Sequence, residues 1–522
     1  MKPSIRLLPA LLISCALALT SCLTPPPPPG TIVVLLESSP NNLDPRQGTD
    51  AQSARVGGLI FDALVRKDAH YNLQPWLATS WEQPDALTWV FHLRDGVRFH
   101  DGRPLEAADV AWTVDSLIDP GLTDALPGGR LITPLSGAFA SVDRVEVRDR
   151  LTVVVHLKHP DAGLLFNMSD GLFGVVPRGS GSDLGQHPIG SGPYRFVSQM
   201  QDKGVILERA PGCWSEPNGL APYAQLQFNV VPDTITSALE LQKGSADAAS
   251  NVLTLDMIYS LRNSPSVEVS ASPGSNIWYL NFNVADPALA DRRVRQAIAL
   301  AIDRPAIVAA LWRGQARLAD NTLLPPGHWA AASPSDLAQY PHDPTRAQAL
   351  LESAGHAAGK DGVRLHLSIK ISTDESSRLL AAALQQQLRA AGIALSIRSA
   401  EFGTFYSDIT RGAFQMYVLK WIGSNEDPDI FRYMYSSSSL PPRGANRGHY
   451  INPAVDALLA QAAAETGPDA QLRRRAEYIS LQKILSIDMP SVPLWFPSSE
   501  VVHTHRLANV TAQPGGNFDF LR

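Results

Sequence analysis

The chain has 522 residues, of which 44% are hydrophobic and 18% charged, with a formal net charge of −6. That length exceeds what one ordinary hydrophobic core holds, so at least two lobes are expected. The acidic balance gives no reason to expect a nucleic-acid partner.

Lys2 and Arg6 precede the apolar run LLPALLISCALAL, which ends at Leu19-Thr20-Ser21-Cys22. A basic start and an apolar stretch too short to span a bilayer describe a secretory signal. The small residues ending in cysteine resemble the bacterial lipoprotein signal, which implies cleavage before Cys22 and acylation of its thiol. Residues 1–21 are then signal, and 22–30 a lipidated, proline-rich tether reaching about 20 Å as polyproline II. Cys15 lies in the signal and Cys22 carries lipid, so Cys213 is left without an intramolecular disulfide partner. The sequence around it, PGCWSEP, suggests a quiet, semi-buried thiol. No later stretch has the length and apolarity of a membrane helix, so the remainder is expected to be soluble.

TIVVLLES (31–38) reads as a strand. In the stretch 81–101, Trp89, Phe91 and Leu93 alternate with Thr88, Val90 and His92, and Arg94-Asp95-Gly96 predicts a hairpin turn into VRFH. LEAADVAWTVDSL is a helix with Val110, Val114 and Leu117 on one face. VEVRDRLTVVVHL (145–157) predicts a strand pair turning near Asp149. The Gly/Ser-rich stretch 178–194 is a candidate crossing back to the first lobe, and sheet-like sequence follows to Pro273.

From Asn276 the pattern changes. In NIWYLNFN, Trp278 and Tyr279 point to opposite faces of a strand, with Tyr279 assigned to the core and Trp278 to a cleft. Asp291 caps a helix whose apolar face is Val294, Ala297, Ile298, Ala301 and Ile302; Asp303-Arg304-Pro305 starts another that ends at Gly314. RLHLSIKIS alternates Leu365, Leu367, Ile369 and Ile371 as a strand. A helix carrying Leu380, Leu384 and Leu388 follows and stops at Gly392; IALSIRS and AFQMYVLKW are two more strands. Strand, helix, strand at this spacing is a right-handed βαβ unit with parallel strands.

The segment KWIGSNEDPDIF (420–431) follows the last of these strands, and ligands of open parallel sheets bind outside the strands' carboxyl ends. Asp427-Pro428 predicts a helix start, with Asp427 as N-cap and Asp429 complementing the helix dipole. Ser424, Asn425 and Glu426 remain as polar groups, Gly423 as a loop position and Trp421 as a stacking face. One unassigned carboxylate does not make an acid/base pair. No HExxH, P-loop or GxSxG occurs, and GSGSD and GSGPY fail the GxGxxG spacing. His156 with His159, and His503 with His505, lack further ligands at metal spacing and read as surface histidines; His100-Asp101 reads as a polar turn.

Taken in order, several stretches resemble the bacterial solute-binding proteins of dipeptide, oligopeptide and nickel ABC importers. They are PWLATSWEQPDALTWVFHLRDGVRFHDGRPLEAADVAWT, IGSGPYRF, YLNFNVADPALADRRVRQAIALAIDRPAIV, YPHDPTRAQALLESAG, WIGSNEDPDIF, YINPAVDALLAQA and RAEYISLQKILSIDMPSVPLW, spread over residues 73–495. The resemblance implies an α/β, two-lobed periplasmic-binding-protein fold (type II, cluster C) with a hinge and an extra domain on lobe one. Residues 31–275 with 485–522 form lobe one (extra subdomain about 76–189), and 276–484 form lobe two. It implies capture of a peptide or peptide-like solute and delivery to a membrane permease with its ATPase. The expected protein is a lipid-anchored monomer in the periplasm or on the cell surface, with no catalysis and no cofactor. Alternative cargoes are a metal chelate, haem or an oligosaccharide; a carboxylate-dependent extracellular hydrolase is a further alternative.

In peptide-binding members an acidic residue of this WIGSNEDP-like segment pairs with the ligand's α-amino group. The alignment puts Ser424 there, and a hydroxyl does not supply that charge. Either Glu426, two residues on, substitutes, or the ligand lacks a free ammonium. Arg378 is the nearby candidate for the ligand carboxylate. Trp421, Gly423, Ser424, Asn425, Glu426, Trp278 and Arg378 thus make up the expected binding set.

Overall fold

A computed structural model describes residues 28, 30–48, 50–68, 70–169, 171, 173–200, 203–216, 221–421, 426–441, 444–467 and 469–522. Cys22 lies outside the described residues, as do Gly423, Ser424 and Asn425. The chain is mixed α/β, and its organising element is the 14-residue strand Ser491–Thr504. The first half of this strand pairs antiparallel with Ile277–Phe282, Leu280 lying opposite Val492, and with the short strand Ala316–Leu318. The second half pairs with Val267–Pro273, where Pro273 meets Ser498, and with Ala248–Ser250. Hydrogen bonding therefore runs unbroken through this strand, yet hydrophobic clusters gather separately on either side of its midpoint.

Only residues 274–276 link Val267–Pro273 to Ile277–Phe282. A Cβ on Gly274 would lie 2.1 Å from the Pro497 carbonyl oxygen, so the two crossing backbones approach more closely than any side chain permits.

On one side of the midpoint, Thr31–Leu36 is buried at every position, running parallel to both Gln225–Val230 and Ala248–Ser250. On the other side stands the expected βαβ unit. Leu365–Ser372 and Ile393–Ala400 are parallel, and the connecting helix Glu375–Ala390 buries Leu380, Leu384 and Leu388. Met416–Trp421 is parallel to Leu365–Ser372 but antiparallel to Ile277–Phe282, so the sheet is mixed there. Asp291 and Asp303 cap their helices as the sequence suggests, accepting from Arg293 N at 2.8 Å and Ala306 N at 3.0 Å.

A separate antiparallel sheet has the order Ala78–Asp85, Thr88–Leu93, Thr152–Leu157, Val142–Asp149. Trp89, Phe91 and Leu93 pack with Val110, Val114 and Leu117 of helix Ala107–Ile118, as their spacing predicts. The hairpin partner differs from expectation. Thr88–Leu93 pairs with the preceding strand Ala78–Asp85, turning at Ala86 and Leu87, whereas Arg94-Asp95-Gly96 only ends the strand. The turn near Asp149 stands as read.

Trp278 also departs from its assignment. It is 7% exposed, packing edge-on to Trp312 with ring centroids 5.9 Å apart. Tyr279 is wholly buried on the opposite face against Tyr417. Helices cover both faces of this strand, so neither ring reaches a cleft. His503 is buried rather than superficial, bonded through Nδ1 to the Thr504 carbonyl at 3.1 Å. Cys213 is a buried thiol whose pKa burial pushes up.

Candidate functional site between the lobes

Glu426 marks the meeting of the two halves. Its Oε2 accepts from Lys67 Nζ at 2.8 Å, with the side chains 8% and 12% exposed. These residues are 359 positions apart in sequence. The ammonium also sits 5.0 Å from the centre of the Phe166 ring. The Glu426 backbone is held as well. Ala330 N donates to His328 Nδ1 at 3.0 Å, so the ring proton is on Nε2, which donates to the Glu426 carbonyl at 3.0 Å. Burial lowers the His328 pKa to about 4, in keeping with a neutral ring.

Further contacts join the same two surfaces. Tyr71 stacks on His328 at 5.4 Å, Gln471 Nε2 donates to Asn72 Oδ1 at 2.9 Å, and Arg474 Nη2 donates to the Ala162 carbonyl at 3.3 Å. Tyr71 adopts a left-handed backbone (φ 64°), which turns its ring into this seam.

Two cavities flank the seam. The first, about 460 Å³, is walled by Trp81, Trp89, Phe166 and Trp329, with Arg474 beside them. The second, about 480 Å³, is bordered by Lys67, Pro273, Pro326, Gly515 and Asn517. Tyr71 and Glu426 border both, so they form the partition between them. Elsewhere along the seam, Glu37 and Arg55 interact electrostatically with Lys420, to which Asp374 also contributes.

The three carboxylates of the segment 420–431 have distinct surroundings. Burial pushes Asp427 up to about 7, against the opposing charge of Arg474. The Asp427 side chain accepts from Asp429 N at 2.6 Å, closing a local turn rather than capping a helix as predicted. The helix begins two residues later, at Ile430–Tyr435, and Asp429 at its N-cap position spends its carboxylate on Arg432 Nε at 2.8 Å. Glu426 alone reaches the seam's ion pair.

Of the expected binding set, then, Glu426 borders both cavities. Trp421 is partly buried, edge-on to Tyr433 at 5.8 Å, and lines neither cavity. Arg378 is exposed on helix Glu375–Ala390 and lines neither. Trp278 is core. Sequence reading missed Lys67, Tyr71 and Arg474: Lys67 ends a three-residue strand, Tyr71 follows it in a loop, and Arg474 is one of three consecutive arginines on helix Ala470–Asp488. Among the described residues no three of His, Cys, Asp and Glu are grouped to hold a metal, and no helix is long and apolar enough to cross a membrane.

Residues 72–440 match the family described as bacterial extracellular solute-binding proteins, family 5. The chain belongs to this family. This solute-binding protein is similar to the probable di/tripeptide-binding protein 5 of Pseudomonas aeruginosa, 29% identical over 513 residues, covering 93% of this chain and 94% of the relative. Its fold closely resembles DppA of Helicobacter pylori, solved with the peptide STSA (TM-score 0.73, 25% identity, 94% and 96% covered). It likewise resembles NikZ of Campylobacter jejuni, solved with Ni(L-His) (TM-score 0.75, 26% identity, 95% and 98% covered). The two-lobed periplasmic-binding-protein architecture expected from the sequence is thus the architecture found.

Proposed function

We propose that this protein captures a peptide or peptide-like solute between two lobes and hands it to the permease of an ABC importer, without chemical change. Lobe one comprises residues 31–275, with the subdomain of about 76–189, together with the chain's end. Lobe two starts at 276. It ends at 484, and residues 485–522 return to lobe one; the change of partner along Ser491–Thr504, from Ile277–Phe282 to Val267–Pro273, supports a crossing in this part of the chain. A lipidated Cys22 tethers a monomer in the periplasm or on the cell surface. The similarity to di/tripeptide-binding and STSA-bound proteins supports a peptide cargo.

One observation carries this reading: two cavities of about 460 and 480 Å³ lined by residues from both sides of the crossing strands. Sites for small molecules commonly measure about 300–1,000 Å³. Groups from both sides contact a solute only when the lobes are shut, so solute shifts the population toward closure. The test is native mass spectrometry of the mature protein as purified and after incubation with a tripeptide pool. A one-to-one peptide complex whose peptide is recovered intact is expected. A bound chelate or sugar, or cleaved peptide, would replace this reading.

A further inference from the structure

We infer that Lys67 is this protein's built-in occupant of the ammonium position facing Glu426, so that the solute presents no free amine to that carboxylate. The inference rests on the peptide-capture reading and narrows its substrate class to peptides whose end at this seam is acylated, cyclised or otherwise uncharged.

The geometry leaves little room for exchange. Glu426 Oε2 is engaged by Lys67 at 2.8 Å, with the two side chains only 8% and 12% exposed. The Lys67 ammonium is also held over the Phe166 ring, 5.0 Å from its centre. The pair is already neutral, so a ligand ammonium brought to Glu426 either displaces Lys67 from these contacts or sets a second positive charge beside it.

The neighbouring carboxylates are committed too. On the first cavity, Asp427 accepts from its own loop at Asp429 N, Glu465 pairs with Arg473, and Glu82 faces His92 at 3.3 Å. On the second, Asp68 accepts from His70 N and Asn72 N, and Asp519 stands 3.7 Å from Arg66. Apart from Glu82, whose side chain is 68% exposed, each acidic side chain bordering the cavities is matched by a group of the chain itself. A solute spanning the partition passes the Lys67–Glu426 pair, which therefore sets the preference at that point.

The test compares alanine-based tripeptides carrying free amines with the same peptides N-acetylated, by calorimetry on the mature protein. Wild type is expected to bind the acetylated set at least as tightly as the free set. Lys67→Met should shift the affinity ratio about tenfold toward free amines, as an uncompensated carboxylate would. Adding Glu426→Gln to that variant should abolish the gain. If Lys67→Met does not fold, Lys67→Gln reads the same ratio. A ratio unmoved by loss of Lys67, or a wild type that prefers free amines about tenfold, overturns the inference and leaves peptide capture standing. Binding of neither set by wild type or variant overturns peptide capture, and this inference with it.

Discussion

Two ion pairs in this molecule are almost equally hidden but do different work. Asp44 and Arg46 are 0% and 1% exposed at their side chains, 2.7 Å apart. Arg46 spends every N–H: two bonds to Asp44, and the others to Ser116 Oγ and the carbonyls of Ser180 and Gly181. Lys67 and Glu426 are 12% and 8% exposed, join residues on opposite sides of the crossing strands, and stand between two cavities. The first pair is locked into backbone it holds together. The second faces space that a solute can fill. What separates a structural pair from a selective one is what lies beside it, rather than burial alone.

The comparison is sharpened most by Arg46→Ala, which leaves Asp44 buried and unpaired. A loss of about 3–5 kcal/mol in unfolding free energy is expected by denaturant titration. Lys67→Met should cost less, about 1–3 kcal/mol, because the stranded carboxylate borders cavities that admit water. Equal losses would break the distinction.

Asp427 supplies a pH test beside the second pair. Its carboxyl is raised from 3.8 to about 7 by burial, so the folded state holds its proton more tightly than the unfolded chain does. The resulting stability is full below about pH 4 and is lost as pH climbs toward 7, with a slope of at most about 1.4 kcal/mol per unit. Thermal melts of Asp427→Asn should show a flatter profile across that window. An unchanged slope would mean that Arg474 already neutralises the group. The smallest effect is expected for Arg378→Ala: exposed and away from both cavities, it should alter stability by less than about 0.5 kcal/mol and leave peptide affinity as it is. A loss of binding would return Arg378 to the site.

The parts of this architecture that were legible in sequence are those written in local patterns. Alternation at Leu365, Leu367, Ile369 and Ile371, followed by leucines four apart, can only bury one face of a strand and then one face of a helix. The hairpin is misleading in sequence because Asp95-Gly96 carries the stronger turn signal, and Gly96 does adopt φ 79°, while the true turn at Ala86-Leu87 has no glycine and rests on Asp85, whose side chain accepts from Leu87 N at 2.8 Å. Trp278 was misplaced because a strand covered on both faces offers no polar alternation to tell core from cleft. At the site, Glu426 was legible as a spare carboxylate in an acidic loop. Its partner was not, since a contact between residues 67 and 426 leaves no trace in either neighbourhood.

The central claim is that two lobes shut on an unaltered solute. Small-angle scattering of the mature, solute-free protein titrated with a binding tripeptide tests it most directly. A fall in radius of gyration that saturates at one equivalent, with intact peptide recovered afterwards, is the expected result. A radius that does not change on saturation, or a peptide returned in pieces, would contradict the account.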